Sequence, residues 1–184
     1  MASGVNWQNR IISTALVRAD AMLANEANWR LHPKAQQDAL LTVVENVGLV
    51  APVIVNKRNA AEWGQDRGIE TMVDGHLRCQ LALRQGDDTE LPVVYVDLTP
   101  DEERLVLATF DPIAGLAAPD KEKLSELLES IDREDATIEA LAQAVAGECK
   151  VSVDDAVPQS DETFPLARTA TCPECGFAFD PTTS

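Results

Sequence analysis

The order of apolar strand, glycine turn and amphipathic helix between Met72 and Arg84 constrains this chain more than any other stretch. Met72-Val73 ends a predicted strand, Asp74-Gly75-His76 forms the turn, and Arg78 opens a helix with Leu77, Leu81 and Leu83 at its apolar positions. Glycine at such a turn lets backbone approach a ligand closely. The helix start presents N–H groups and the positive end of the dipole to an anion. His76 and Arg78 add side-chain donors, and the planar fork of arginine suits phosphate. Gly75, His76 and Arg78 therefore outline a phosphate site. An Asp-Gly pair also marks ordinary turns, and this segment alone leaves both readings open.

Around that turn, short apolar runs alternate with helical patterns. The run IISTALV after Arg10 predicts an edge strand, followed by a turn leading to Asn25. Pro33 opens a helix carrying Ala39, Leu40, Val43, Val44 and Val47, which Gly48 ends. Ala51 to Val55 reads as a buried strand with proline at its start. Asn56 to Gly68 reads as a hairpin loop and Ile69 to Val73 as the return strand. Leu91 to Val96 is a further strand. Thr99 is a predicted N-cap, with Pro100 first and Glu102 third in a helix that should stop at Asp111-Pro112. The alternation predicts a small α+β domain over residues 7–112. Residues 113–147 read as an acidic helical arm broken between Asp132 and Asp135, and 148–170 as a flexible linker with Pro158 and Pro165.

Charge narrows the partners. The formal charge is −16, with ten cationic and sixteen acidic residues through Asp111 and five against fifteen after it. A field of this sign repels a phosphate backbone, so nucleic acid would be met through a local patch or through a partner. No apolar run approaches a membrane span, and the N-terminal residues lack the layout of a secretory signal, so no membrane partner and a cytoplasmic location are expected. The tail at 171–184 holds Cys172-Pro173-Glu174-Cys175-Gly176, the shape of a zinc knuckle. Two thiolates make half of a closed zinc site. Three possibilities stay open: the tail meets its copy in a homodimer, it borrows Cys149 and another group, or it binds no metal.

Taken together, the front segment resembles the ParB/sulfiredoxin-like domains, and more narrowly the free-standing ParB-like proteins of phages and other mobile elements, often found near DNA methyltransferase genes. The residues that carry the likeness are Asn25, Asn28-Trp29-Arg30 and His32-Pro33, then Gly48 to Asn56 and Val73 to Arg78. Leu91 to Leu98 and Glu102 to Thr109 complete the set. The resemblance implies a small mixed sheet with helices, and a nucleoside triphosphate with Mg²⁺ bound at the turn of Gly75, His76 and Arg78. It adds Arg30 as a second phosphate clamp facing Arg78, and it implies DNA and a DNA methyltransferase as partners. The chain also departs from the pattern. His76 stands where a sulfiredoxin would carry its cysteine, Thr109-Phe110-Asp111 replaces the acidic-asparagine motif of partition proteins, and no helix-turn-helix follows.

Two functional classes follow: a nucleotide-responsive accessory module for DNA transactions, or an enzyme of phosphate chemistry such as an NTPase, kinase or nuclease. An interaction scaffold without ligand is the third reading. Glu26, Asp74 and His76 are the candidate acid–base residues, yet no nucleophile–base pair is evident, which favours the module. Asp74 could also orient His76 or hold magnesium, and His32 and Asp111 have plain helix-terminal explanations.

Overall fold

A computed structural model describes residues 8–117, 120–132, 135–148, 170–171 and 178–179. The first apolar run forms β1 (Ile11–Arg18), and a 3-10 turn over Ala19–Ala21 follows it. Helix α1 (Lys34–Val47) starts after Pro33, which lacks an N–H to leave unpaired, and ends at Gly48 with φ 92°. Then come β2 (Val53–Asn56), a 3-10 segment over Ala61–Asp66, β3 (Thr71–Asp74) and α2 (His76–Gln85). Strand β4 (Glu90–Val96) and helix α3 (Pro100–Ala114) complete the front of the chain. Helices α4 (Lys121–Glu129) and α5 (Ala136–Glu148) and the short strands β5 (Ala170–Thr171) and β6 (Ala178–Phe179) follow.

The sheet runs β1-β4-β2-β3. Strands β2 and β3 form the expected antiparallel hairpin, β4 lies parallel to β2, and β1 pairs antiparallel to β4 at the edge. Strand β4 runs parallel to β2 because β3 first returns the chain to the end where β2 starts, and α2 then links β3 to β4 on the other side of β2. Alternate residues Val53, Val55, Leu91 and Val93 bury one face with Met72, Cys79 and Ala82.

Two compact units make up the described chain. One holds the sheet, with described residues 8–28, 51–109, 170–171 and 178–179; the other holds 29–50 and 110–148, except 118–119 and 133–134, which are not described. The second unit brings α1 together with α4 and α5. In that second unit α5 packs on both α1 and α4, around Leu128 and Ala142.

Two boundaries differ from the sequence reading. Helix α2 begins at His76, two residues before Arg78, because Gly75 in the left-handed region already serves as its N-cap. Helix α3 continues through Pro112 to Ala114 rather than stopping at Phe110. Proline there removes one hydrogen bond to an exposed carbonyl in the last turn, a loss that water makes good.

The start of α3 matches its signature. The Glu102 carboxylate accepts from the Thr99 N–H at 2.8 Å, and Thr99 Oγ1 accepts from the Glu102 N–H at 3.4 Å. The Thr99 N–H, helped by Arg10, holds the Glu102 carboxyl below its ordinary value of 4.5. A depressed folded-state value stabilises the protein above the ordinary value, and that contribution is lost as pH falls through the lowered one. Thr99→Ala is expected to lower unfolding free energy by about 1 kcal/mol in urea titrations at pH 7. Glu102→Gln should flatten the wild-type loss of stability below about pH 4.5.

Candidate functional site

The densest buried polar cluster of the described chain is centred on Glu103. This side chain, 3% exposed, projects from the first turns of α3 on the stripe that also carries buried Leu107. Arg58 grips it as a fork: Nη2 donates to Oε1 at 2.7 Å and Nε donates to Oε2 at 3.2 Å. Asn25 Nδ2 donates to Oε1 at 2.8 Å and Asn56 Nδ2 to Oε2 at 2.7 Å. Asn56 uses every group it has, since Nδ2 also donates to the Leu98 carbonyl while its Oδ1 accepts from the N–H groups of Leu98 and Arg58. Trp63 covers the pair, its ring 4.2 Å from the Arg58 guanidinium and its Nε1 donating to the Leu98 carbonyl at 2.8 Å.

Reaching Glu103 forces an unusual backbone on Arg58. Among the described residues it is the one non-glycine with positive φ, at 47°. Such a conformation is uncommon for a side chain this large and persists where surrounding bonds over-determine it. The fork onto a buried carboxylate does so here.

The strand–turn–helix lies in the same unit as that cluster. Gly75 sits at φ 95°, and a Cβ there would lie 3.0 Å from both the Cα and Cγ2 of Val53. Left-handed geometry and the close approach of β2 together require glycine. His76 is buried at 5% exposure, and its Nε2 accepts from the Asn25 N–H at 3.3 Å. The imidazole is thereby joined through Asn25 to Glu103. Arg78 Nη2 donates to Asp74 Oδ2 and to the Pro52 carbonyl, both at 2.9 Å. Arg78 Nε is buried with no hydrogen-bond partner. No side chain caps the N-terminus of α2.

The other expected residues are placed as follows. Glu26 is exposed. Asp74 is half-buried and holds Arg78. Arg30 belongs to the second unit, where it pairs with Asp111 and lies 5.5 Å from the Trp29 ring centre. Asp111 is inside α3 rather than at its end. His32 Nδ1 lies 3.0 Å from Gln36 Oε1, beside the start of α1. Cys79 is fully buried against the Ala19 carbonyl, and burial pushes its thiol up to about 11, so it stays protonated and unreactive near neutrality. Among the described residues no three His, Cys, Asp or Glu side chains are grouped to hold a metal ion, and no helix is long and apolar enough to cross a membrane. Cys172 and Cys175 lie outside the described residues.

Sequence reasoning passed over Arg58, which it left in a polar hairpin loop, and gave Asn56 and Glu103 no role. A signal was present: Asn56 ends an otherwise apolar strand, and Glu103 occupies an apolar position of α3 one turn before Leu107. Removing Glu103 leaves Arg58 as a buried charge with no counter-ion. Glu103→Ala is expected to cost about 3–5 kcal/mol of unfolding free energy, measured by urea denaturation. Arg104→Ala, exposed one residue further on, should stay within about 0.5 kcal/mol of wild type.

No protein-family model matches the chain, and no curated protein sequence matches it. Solved structures do. A C-terminally truncated chromosome-partitioning protein ParB from Caulobacter crescentus, crystallised with CTP-gamma-S, aligns over 71% of this chain and 71% of its own, at 15% identity and a TM-score of 0.52. A Pnob8-like ParB-N domain aligns over 91% of this chain and 56% of its own, at 14% identity and a TM-score of 0.42. With its four-stranded mixed sheet and the strand–turn–helix at Gly75, the chain has a ParB-like fold.

Proposed function

We propose that this chain is a ParB-type module that binds a nucleoside triphosphate through its phosphates at the turn of Gly75, His76 and Arg78. The observation that carries the reading is the unequal use of two arginines. Arg58 gives both faces of its fork to Glu103. Arg78 gives only Nη2 to its own fold among the bonds described, and its Nε is buried without a partner. A buried donor left unpaired costs about 1–3 kcal/mol, so a guanidinium in this state gains by turning onto an anion. The uncapped start of α2 supplies backbone donors and a favourable dipole at the same turn.

The ParB crystallised with CTP-gamma-S supports a triphosphate as the ligand class. Magnesium is not assigned to protein ligands, because the Asp74 carboxylate is taken up by Arg78. The metal would be carried by the phosphates. With a formal charge of −16, the module acts in DNA transactions through a partner protein, a DNA methyltransferase being one candidate, rather than by gripping the duplex with its own field.

A panel of nucleoside triphosphates, each with and without magnesium, tests the reading by thermal shift and calorimetry. One of them should raise the melting temperature, since a ligand present at about 100 Kd adds about 2.7 kcal/mol. Arg78→Ala should weaken that ligand at least about tenfold, while Arg84→Ala leaves it unchanged. Flat traces for every nucleotide would overturn the proposal. Magnesium-dependent hydrolysis or DNA nicking that Arg78→Ala abolishes would replace the module with an enzyme at the same turn.

A further inference from the structure

We infer that Asp74 regulates the proposed phosphate site, an inference that rests on that reading of the turn: Asp74 occupies Arg78 in the free protein as a placeholder, and phosphate displaces it. Two arginines of the sheet unit hold carboxylates in different ways. Arg58 applies one edge of its guanidinium, Nε and Nη2 together, to the two oxygens of Glu103. Arg78 has the same edge, yet only its Nη2 reaches Asp74, at Oδ2 and 2.9 Å, and the neighbouring Nε is buried with no partner. Such an edge matches a carboxylate or phosphate through two parallel bonds. Asp74 supplies one of the two.

The turn is arranged for the exchange. Asp74 ends β3, and Gly75 separates it from α2. Its carboxylate goes to Arg78 and not to the helix start, since no side chain caps α2. The backbone donors of the helix start are therefore left without a cap while the guanidinium is taken. The Pro52 carbonyl accepts a second bond from Arg78 Nη2, also at 2.9 Å, and this bond keeps the guanidinium at the turn when Asp74 lets go. The Asp74 side chain is 25% exposed, so water is at hand for the released carboxylate.

A terminal phosphate carries three strong acceptor oxygens, enough for both nitrogens of the edge and for a backbone amide. Filling the turn thus exchanges one carboxylate bond for a two-point grip and adds the helix start. An anion with one acceptor gains nothing over Asp74. The placeholder thereby sets a threshold that only an anion with several adjacent oxygens passes, and it makes the affinity of that anion lower than the same turn would give without it.

Calorimetry of the full chain against ATP, CTP, GTP and UTP, each with magnesium, and against inorganic tripolyphosphate tests this. Asp74→Asn and Asp74→Ser both remove the charge and keep a small polar side chain, and thermal unfolding without ligand checks that they are folded. Both variants should bind the triphosphate at least about tenfold more tightly than wild type, because a charge-assisted bond no longer has to be broken. In an Arg78→Ala background the gain from Asp74→Asn should fall to about threefold or less, since the placeholder then has nothing to hold. Binding seen in the variants alone would support the inference as the limit of a strong placeholder. A gain of equal size in both backgrounds would overturn it in favour of general charge repulsion. Unchanged or weaker binding by the variants, with wild-type binding intact, would overturn it and leave the reading of the turn standing. No binding by wild type or by either variant would overturn that reading and the inference with it.

Discussion

A single buried carboxylate holds the sheet unit in register. Glu103 receives four hydrogen bonds from three residues far from it in sequence: Asn25 before α1, Asn56 at the end of β2, and Arg58 just beyond it. An ionised carboxylate at 3% exposure is tolerable only when its charge and its lone pairs are both answered. Here one arginine answers the charge and two amides answer the remaining acceptor sites. Replacing the whole cluster with apolar residues could stabilise the unit as well, since buried ion pairs rarely outperform good apolar packing. What the cluster adds is direction. It dictates which loop ends where, even to the extent of holding Arg58 in the left-handed region.

That directional role reaches the proposed site. Asn25 joins Glu103 through its side chain and His76 through its backbone N–H. The Nε2 of His76 accepts this bond, so the neutral ring carries its proton on Nδ1. The turn is therefore tied on one side to the carboxylate cluster and on the other to β2, where Val53 leaves no room for a Cβ at position 75. Rigid support on both sides is what a backbone anion site needs, because donors held in place lose little entropy on binding. Arg78 is the contrasting part. Its Nε, buried without a hydrogen-bond partner, gives it a donor that a new partner at the turn would satisfy.

Much of the fold was legible from pattern alone, and the exceptions share a cause. The capping box at Thr99, the Pro33 start and Gly48 stop of α1, the β2–β3 hairpin and the edge position of β1 all follow from local chemistry within a few residues. Local rules placed the end of α3 too early, because the bias against helix before proline is weak where the lost bond faces water. Glycine at position 75 was expected to let a ligand approach the backbone, and the structure gives two reasons inside the fold for it, a left-handed φ and the close approach of Val53. The Glu103 cluster was invisible for a deeper reason: Asn25, Asn56, Arg58 and Glu103 become neighbours only through the sheet, and each alone looks like an ordinary polar residue. A charged residue on an apolar helix stripe was the available clue.

Acidity sets the terms on which such a chain can bind phosphate at all. A distant field from sixteen net negative charges is largely screened beyond about 8 Å at physiological salt, whereas donors in contact with an anion act unscreened. Short-range geometry therefore outweighs bulk charge for a compact ligand held at one helix start. A duplex differs, since it must lay many phosphates along the surface and would meet acidic groups at most of them. The same reasoning separates the two arginines. Arg58 spends its charge inside the fold and contributes almost nothing outside it, while Arg78 lies at the turn with a donor to spare. On the proposed reading, a ligand whose charge is concentrated in a few adjacent oxygens suits this arrangement better than an extended polyanion, because it does not have to overcome the rest of the surface.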